Sequence, residues 1–141
     1  MDISNGFQID NPRIFIPWNI DAKQLGDLFS QGNLKQVTPS YYTAACSSLE
    51  GLNCMIGFHF EPRVNGQLSE LEFFGTNYDN QEQSFTEFQK YFEQTFGMAT
   101  KAIEGSEGFN NYEWLLNKVR IIHLVYDRFG PEEHMRIKKI K

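Results

Sequence analysis

Residues 123–134 read "HLVYDRFGPEEH". Two histidines bracket an aspartate, an arginine and two glutamates, with Phe-Gly-Pro between them. The stretch is either the acid/base cluster of an active site or a charged turn between strands, and its flanks decide. Before it, "KVRIIHLVY" (118–126) is a β-branched apolar run, and after it "HMRIKKI" (134–140) alternates apolar with polar. Pro131 suits a turn and has no place inside a central strand. "DRFGPEE" (127–133) is therefore a hairpin turn. Arg128 with Glu132 or Glu133 is an exposed pair that steadies it, worth under ~1 kcal/mol.

A similar hairpin stands earlier in the chain. "CMIGFHFEP" (54–62) and "QLSELEFF" (67–74) flank Asn65-Gly66, a strong two-residue hairpin signal. A tight turn there pairs Val64 with Gln67, hence Phe60 with Leu71 and Phe58 with Phe73. Moving 64 residues on, these four apolar positions land on Ile122, Leu124, Met135 and Ile137, and His59 lands on His123. In that register the inward side is apolar. His59 and His123 face outward, opposite Glu72 and Arg136.

Two helices show the same relation. In "DAKQLGDLFSQG" (21–32) Asp21 caps, Gln24 follows at the third position, and Leu25, Leu28 and Phe29 form a stripe. In "SFTEFQKYFEQTFG" (84–97) Ser84 caps, Glu87 completes a capping box, and Phe85, Phe88, Phe92 and Phe96 form the stripe that Gly97 ends. The two patterns lie 63 residues apart, and four strand-like segments follow each.

The expected architecture is an α+β two-layer sandwich. A large antiparallel sheet of about eight strands carries two helices on one face. It is built from two tandem helix-plus-four-strand repeats, approximately 19–75 and 84–141. The expectation is a single domain over 1–141, because a half of roughly 60 residues buries too little surface alone. "PRIFIPW" (12–18) adds one strand that ends at Pro17 or lies at an edge. In element order the chain resembles the saddle-shaped repeat folds of the TATA-binding and β-lactamase-inhibitor type. The resemblance implies a fold and no function.

Composition narrows the function classes. With 40% apolar and 22% charged residues the 141-residue chain is globular, and its 13 Phe point to a core or interface built on rings. The opening "MDISNGFQID" lacks the basic and apolar regions of a secretory signal, and no stretch nears the ~20 apolar residues of a membrane span. The expected location is cytoplasmic. Cys46 and Cys54 lack metal-like spacing and are expected as thiols that can face each other across a hairpin. A net charge of −5 makes nucleic acid a poor partner.

Catalytic motifs are absent from the sequence. There is no Gly-x-Ser-x-Gly, no Cys with a convincing His partner, and no phosphate loop, since "EGSEG" (104–108) would repel phosphate. No metal and no cofactor is expected. Two groups remain. Residues 79–113 hold seven acidic against two basic residues. Asp79, Glu82, Glu104, Glu107 and Glu113 with Tyr112 and Trp114 form a candidate surface for a basic protein partner. His59, Glu72, His123 and Arg136 form a candidate site on the open sheet face, where Glu70 shares a strand side with Glu72. The leading expectation is a non-enzymatic protein-binding module, such as an immunity or inhibitor protein that occludes a basic surface. The alternatives are a small-molecule binder or enzyme using the open face, and a homodimer through that face or an edge strand. "VRIIHLVY" (119–126) is apolar on both sides, which argues for a covered face.

Overall fold

The computed structural model describes residues 1–30, 32–75, 78–127 and 130–140. In chain order these form β1 (Gly6–Asn11), β2 (Ile14–Pro17), α1 (Ala22–Leu28), β3 (Lys35–Thr38), β4 (Tyr41–Ser48), β5 (Leu52–Phe60) and β6 (Leu68–Phe74). Then come α2 (Gln81–Phe96), β7 (Lys101–Glu104), β8 (Asn110–Leu116), β9 (Val119–Asp127) and β10 (Pro131–Lys139). The fold is α+β: a ten-stranded antiparallel sheet with two helices. Strands run in the order β2-β1-β4-β5-β6-β10-β9-β8-β7. β4 shares one edge between two neighbours, β3 along Tyr41–Thr43 and β1 at Ser47 and Ser48. Eight strands were expected from the repeats and one more from residues 12–18. The tenth arises because the N-terminal segment is a hairpin, β1 and β2, rather than one strand, with β2 ending at Pro17 on the sheet edge.

Both helices pack on the same sheet face. Phe29, after α1, meets Phe58 edge-on at 5.7 Å between ring centroids, and Phe92 of α2 meets Phe73 at 5.3 Å. Phe58 and Phe73 point the same way, since Ile56 is the direct partner of Phe73. Phe7 of β1 closes against Phe73 at 5.3 Å. Each such ring pair adds about 0.5–1.5 kcal/mol beyond its buried area. One buried cluster runs from Phe7 and Ile9 through Leu25, Phe58, Leu71 and Phe92 to Trp114, Ile121 and Ile137.

The helix starts follow local capping chemistry. The Asp21 carboxylate accepts from the Gln24 amide, and the Gln24 side chain accepts from the Asp21 amide, so the expected capping box of α1 is formed. α2 begins four residues earlier than expected. Asn80 is its cap and accepts from the Gln83 amide at 2.8 Å, which leaves Ser84 inside the first turn. Gly97 ends α2 in the left-handed region, φ 83°, as the sequence implied.

Both hairpin registers differ from expectation, with unlike consequences. Phe58 pairs with Leu71 and Ile56 with Phe73, and an irregularity then brings Phe60 opposite Leu68. The shift is two residues, so the inward face is kept. Its cause is the connection itself: Glu61–Gln67 is a full loop rather than a two-residue turn. In the second hairpin Ile121 pairs with Ile137 and His123 with Met135. That shift is one residue, and it turns β9 over. His123 points into the core, while Ile122 and Leu124 point outward. Positions 119, 121, 123 and 125 are buried although Ile122, Leu124 and Tyr126 on the other side are also apolar, so composition alone did not set the parity. The expected hairpin is present but shorter than 127–133: Asp127 pairs with Pro131, and Glu132 and Glu133 are paired residues of β10 rather than of the turn. Arg128, and with it the expected turn pair, lies outside the described residues.

Candidate functional site

The sheet face away from the helices carries a connected polar network at its centre. It starts from a glycine. Gly57 sits opposite Glu72 on β6 and Thr43 on β4. A Cβ there would lie 2.8 Å from Tyr41 Cε1 and 3.2 Å from Glu72 Oε1. The space that Gly57 leaves admits both neighbours. Tyr41 stacks on its direct partner His59 with centroids 4.4 Å apart, and its hydroxyl points to Glu72 Oε1 at 3.4 Å. His59 Nε2 lies 2.8 Å from the same Glu72 oxygen. The pairing of His59 with Glu72 was expected, but it is diagonal: the residue directly opposite His59 is Glu70.

Arg136 joins this group from β10, where it sits opposite Glu72 at the one junction of β6 with β10. Its Nη1 donates to Glu70 at 2.9 Å, its Nη2 to Glu72 at 3.3 Å, and its Nε to His134 Nδ1 at 3.3 Å. The side chains of His59, Glu72 and Arg136 are 30%, 22% and 21% exposed, so the network is partly desolvated. The His59 hydrogen bond, helped by Arg136 and opposed by burial, holds the Glu72 carboxyl below its usual range. Burial and the Glu72 charge push the Tyr41 phenol up.

His123 does not belong to this group. It is fully buried on the helix side. Phe85 stacks on its ring at 3.9 Å, Nε2 lies 2.6 Å from Glu133 Oε2, and Nδ1 lies 2.7 Å from Gln89 Oε1. Gln89 in turn donates to Glu93 at 2.7 Å. Glu133 also accepts from Gln81 and Ser84 of the first turn of α2. Burial pushes the His123 imidazole below its ordinary value, against the pull of Glu133. This cluster ties α2 to β9 and β10 and is closed to solvent at the histidine. Its open-face role is thereby corrected, and Arg136 is paired with glutamates rather than with His123.

The acidic candidates are spread over different surroundings. Trp114 is fully buried, with its indole N–H donating to Gly97 O at 2.9 Å, and Tyr112 is half-buried beside it on the helix side. Glu113 points the other way, where Arg120 donates to it at 2.6 Å and Lys101 lies 3.9 Å away. Asp79 and Glu82 are exposed at the start of α2, and Glu104 and Glu107 are exposed around the β7–β8 connection. Phe85 against Phe109, 4.7 Å apart, brings those two regions to one end of the molecule.

Sequence reasoning missed Tyr41, Gly57 and His134 as members of the open-face network. The available signal was a strand glycine flanked by apolar and aromatic residues, which often marks a close approach of neighbours. Among the described residues no group of three or more His, Cys, Asp or Glu side chains is placed to hold a metal ion. None of their helices is long and apolar enough to cross a membrane. Cys46 and Cys54 are direct partners across β4 and β5, both free and buried, and burial raises their thiols to about 11 and about 12.

No protein-family model matches the chain, and no curated protein does. Among solved structures it is similar to the crystal structure of a DUF4309 family protein, YjgB, from Bacillus subtilis subsp. subtilis str. 168. The two are 11% identical with a TM-score of 0.44, over 84% of this chain and 78% of that one. A likeness at that level says nothing of what this chain does.

Proposed function

We propose that the chain is a non-enzymatic protein-binding module that docks its partner on the uncovered sheet face, as an immunity or inhibitor protein would to occlude a surface. One observation carries the reading. Outward apolar side chains run across β7, β8 and β9: Ile103, Leu115 and Tyr126 are 63%, 44% and 52% exposed, with Ile122 and Leu124 half-buried beside them. They border the Tyr41–His59–Glu72–Arg136 network. An apolar patch flanked by paired charges has the anatomy of an interface core and its rim.

The acidic residues play a lesser part in this reading. Glu113 is already paired and Tyr112 and Trp114 are packed, which leaves Asp79, Glu82, Glu104 and Glu107 to steer a basic partner. A small-molecule site has weaker support, because the clefts lined by Cys46 and Tyr78, by Ser84 and Glu133, or by Pro39 and Pro62 do not include His59, Glu72 or Arg136. The proposal extends to two finer points. The order α1-β3-β4-β5-β6 followed by α2-β7-β8-β9-β10 supports two helix-plus-four-strand repeats. The free thiols of Cys46 and Cys54 suit a cytoplasmic setting.

The test compares three tagged baits against native-host lysate: wild type, Ile122→Lys with Leu124→Glu, and Glu104→Lys with Glu107→Lys. The face variant is expected to lose the stoichiometric partner while keeping its circular dichroism. The charge variant is expected to bind more slowly, by less than tenfold. A face variant that captures the partner as well as wild type would refute the reading. Light scattering on the wild type separates a second copy from a different partner.

A further inference from the structure

The connection between β5 and β6 is longer and more tightly braced than a hairpin needs. Asn65-Gly66 alone could close it in two residues. Instead Glu61–Gln67 forms a loop in which the Glu61 amide donates to Gln67 O at 2.9 Å, the Arg63 amide to Glu61 O at 2.8 Å, and the Gly66 amide to Arg63 O at 3.0 Å. The base is tied to the first helix. Gln67 forms a bridge to the cap residue Asp21, and the Leu68 amide donates to Ile20 O at 2.8 Å. Asn65 takes the left-handed region at φ 58°. Gly66 has no room for a side chain, since a Cβ would fall 2.0 Å from the Glu61 carbonyl oxygen. The residues "EPRVNGQ" thus hold one backbone shape.

What this shape presents is Val64. At 91% exposure it is the most exposed large apolar side chain among the described residues. It stands at the rim of a cleft of about 570 Å³ whose lining includes Thr38, Pro39, Phe60 and Pro62. A lone exposed valine on a mobile loop would need no explanation. A valine on a loop fixed by three internal hydrogen bonds is different. Its backbone entropy is already spent in the free state, and a β-branched side chain has few rotamers left to lose.

We propose that Glu61–Gln67 is a presentation loop that inserts Val64 into an apolar pocket on a partner protein. The occupant is a protein with a pocket of aliphatic size that is uncharged at the point of contact. Val64 and Asn65 carry no charge, and Arg63 beside them is paired with Glu61 at 2.7 Å, so the tip itself presents no net positive charge to a polyanion. A bilayer is a poor match as well, because one valine falls far short of the apolar area that membrane anchoring requires. The proposal rests on the protein-binding reading above but not on the sheet face.

A photo-crosslinking residue placed at position 64, and separately at position 124, in the full chain tests it in host cells. Affinities of Val64→Asp and Val64→Ile for the purified crosslinked protein follow. The expected result is an adduct from position 64 that maps to an apolar pocket, an affinity loss of about tenfold or more in Val64→Asp, and near wild-type affinity in Val64→Ile. Position 64 is at the surface, so both variants should keep the wild-type melting midpoint. An adduct from position 124 alone overturns the loop proposal and leaves the sheet-face reading standing. No adduct from either position overturns both. A position 64 adduct whose protein binds Val64→Asp as tightly as wild type also overturns the loop proposal.

Discussion

At the scale of single residues, two histidines that looked equivalent in the sequence meet opposite environments. His59 is a partly exposed ring stacked on Tyr41 with its Nε2 against Glu72, and His123 is a buried ring under Phe85. The second carries a pH consequence. Burial keeps the native His123 imidazole below its ordinary value of 6.5, whereas the unfolded chain titrates near that value. Below about pH 6.5 the unfolded state therefore binds the proton that the native state resists. The stability from neutral His123 is complete above that pH and is lost as pH falls toward the native value. The groups around the ring are Glu133 from β10, Gln89 and Phe85 from α2 with Glu93 behind Gln89, and Tyr112 from β8. His123→Gln keeps a donor for Glu133 but removes the titration. Urea unfolding at pH 7.5 and 5.0 should show a smaller drop in the variant, by up to about 1.4 kcal/mol per pH unit. The two proteins differ at position 123 alone, so the difference isolates His123. Equal drops would show that its burial does not govern the acid limb.

At the scale of elements, capping chemistry decides where α2 begins. Asn80 and Ser84 are both good caps by residue type. Asn80 takes the role because its side chain reaches the Gln83 amide while the Ser84 hydroxyl is drawn to Glu133 across from β10. Asn80→Ala should then cost about 1 kcal/mol in chemical unfolding, as the loss of an N-cap does. A loss near zero would move the helix start back to Ser84. The same comparison shows how far the sequence could be read. Both helices, the Asp21 box, the Gly97 stop and most strands were legible from periodicity and local chemistry. What was hidden depends on partners distant in sequence. The parity of β9 was illegible because Ile121, Ile122, Leu124 and Val125 offer apolar groups to both faces. Transferring the first hairpin's register by a fixed offset therefore gave His123 the wrong side. The open-face pair His59 and Glu72 was found for a partly wrong reason, since the inferred register was two residues off but the diagonal reach of the side chains restored the contact.

At the scale of the whole molecule, the sheet is continuous across the seam of β6 with β10. Among the described residues, β6 with β10 is the only strand pairing between the segment up to Phe74 and the segment from Lys101. The seam has two sides. Inward, Leu71 and Ile137 pair within the core, and outward, Arg136 spans Glu70 and Glu72. Two carboxylates side by side on one strand, each about a quarter exposed or less, are tolerable because the guanidinium lies between them. Arg136→Leu removes that compensation and leaves the carboxylates facing each other. The variant should lose on the order of 2 kcal/mol at pH 7, the range for charged hydrogen bonds in partly buried settings. The sign of the pH effect follows from Glu72. Its native carboxyl lies below the ordinary value of 4.5, so its contribution is present above that pH and is lost as pH falls through the native value. Without Arg136 the depression is smaller and protonation relieves repulsion instead. The two unfolding curves should therefore converge between about pH 5 and 3, and at neutral pH the gap should narrow with added salt. A deficit that stays constant across both titrations would assign the seam to the packing of Leu71 and Ile137, and Arg136 would be dispensable to how the two segments hold together.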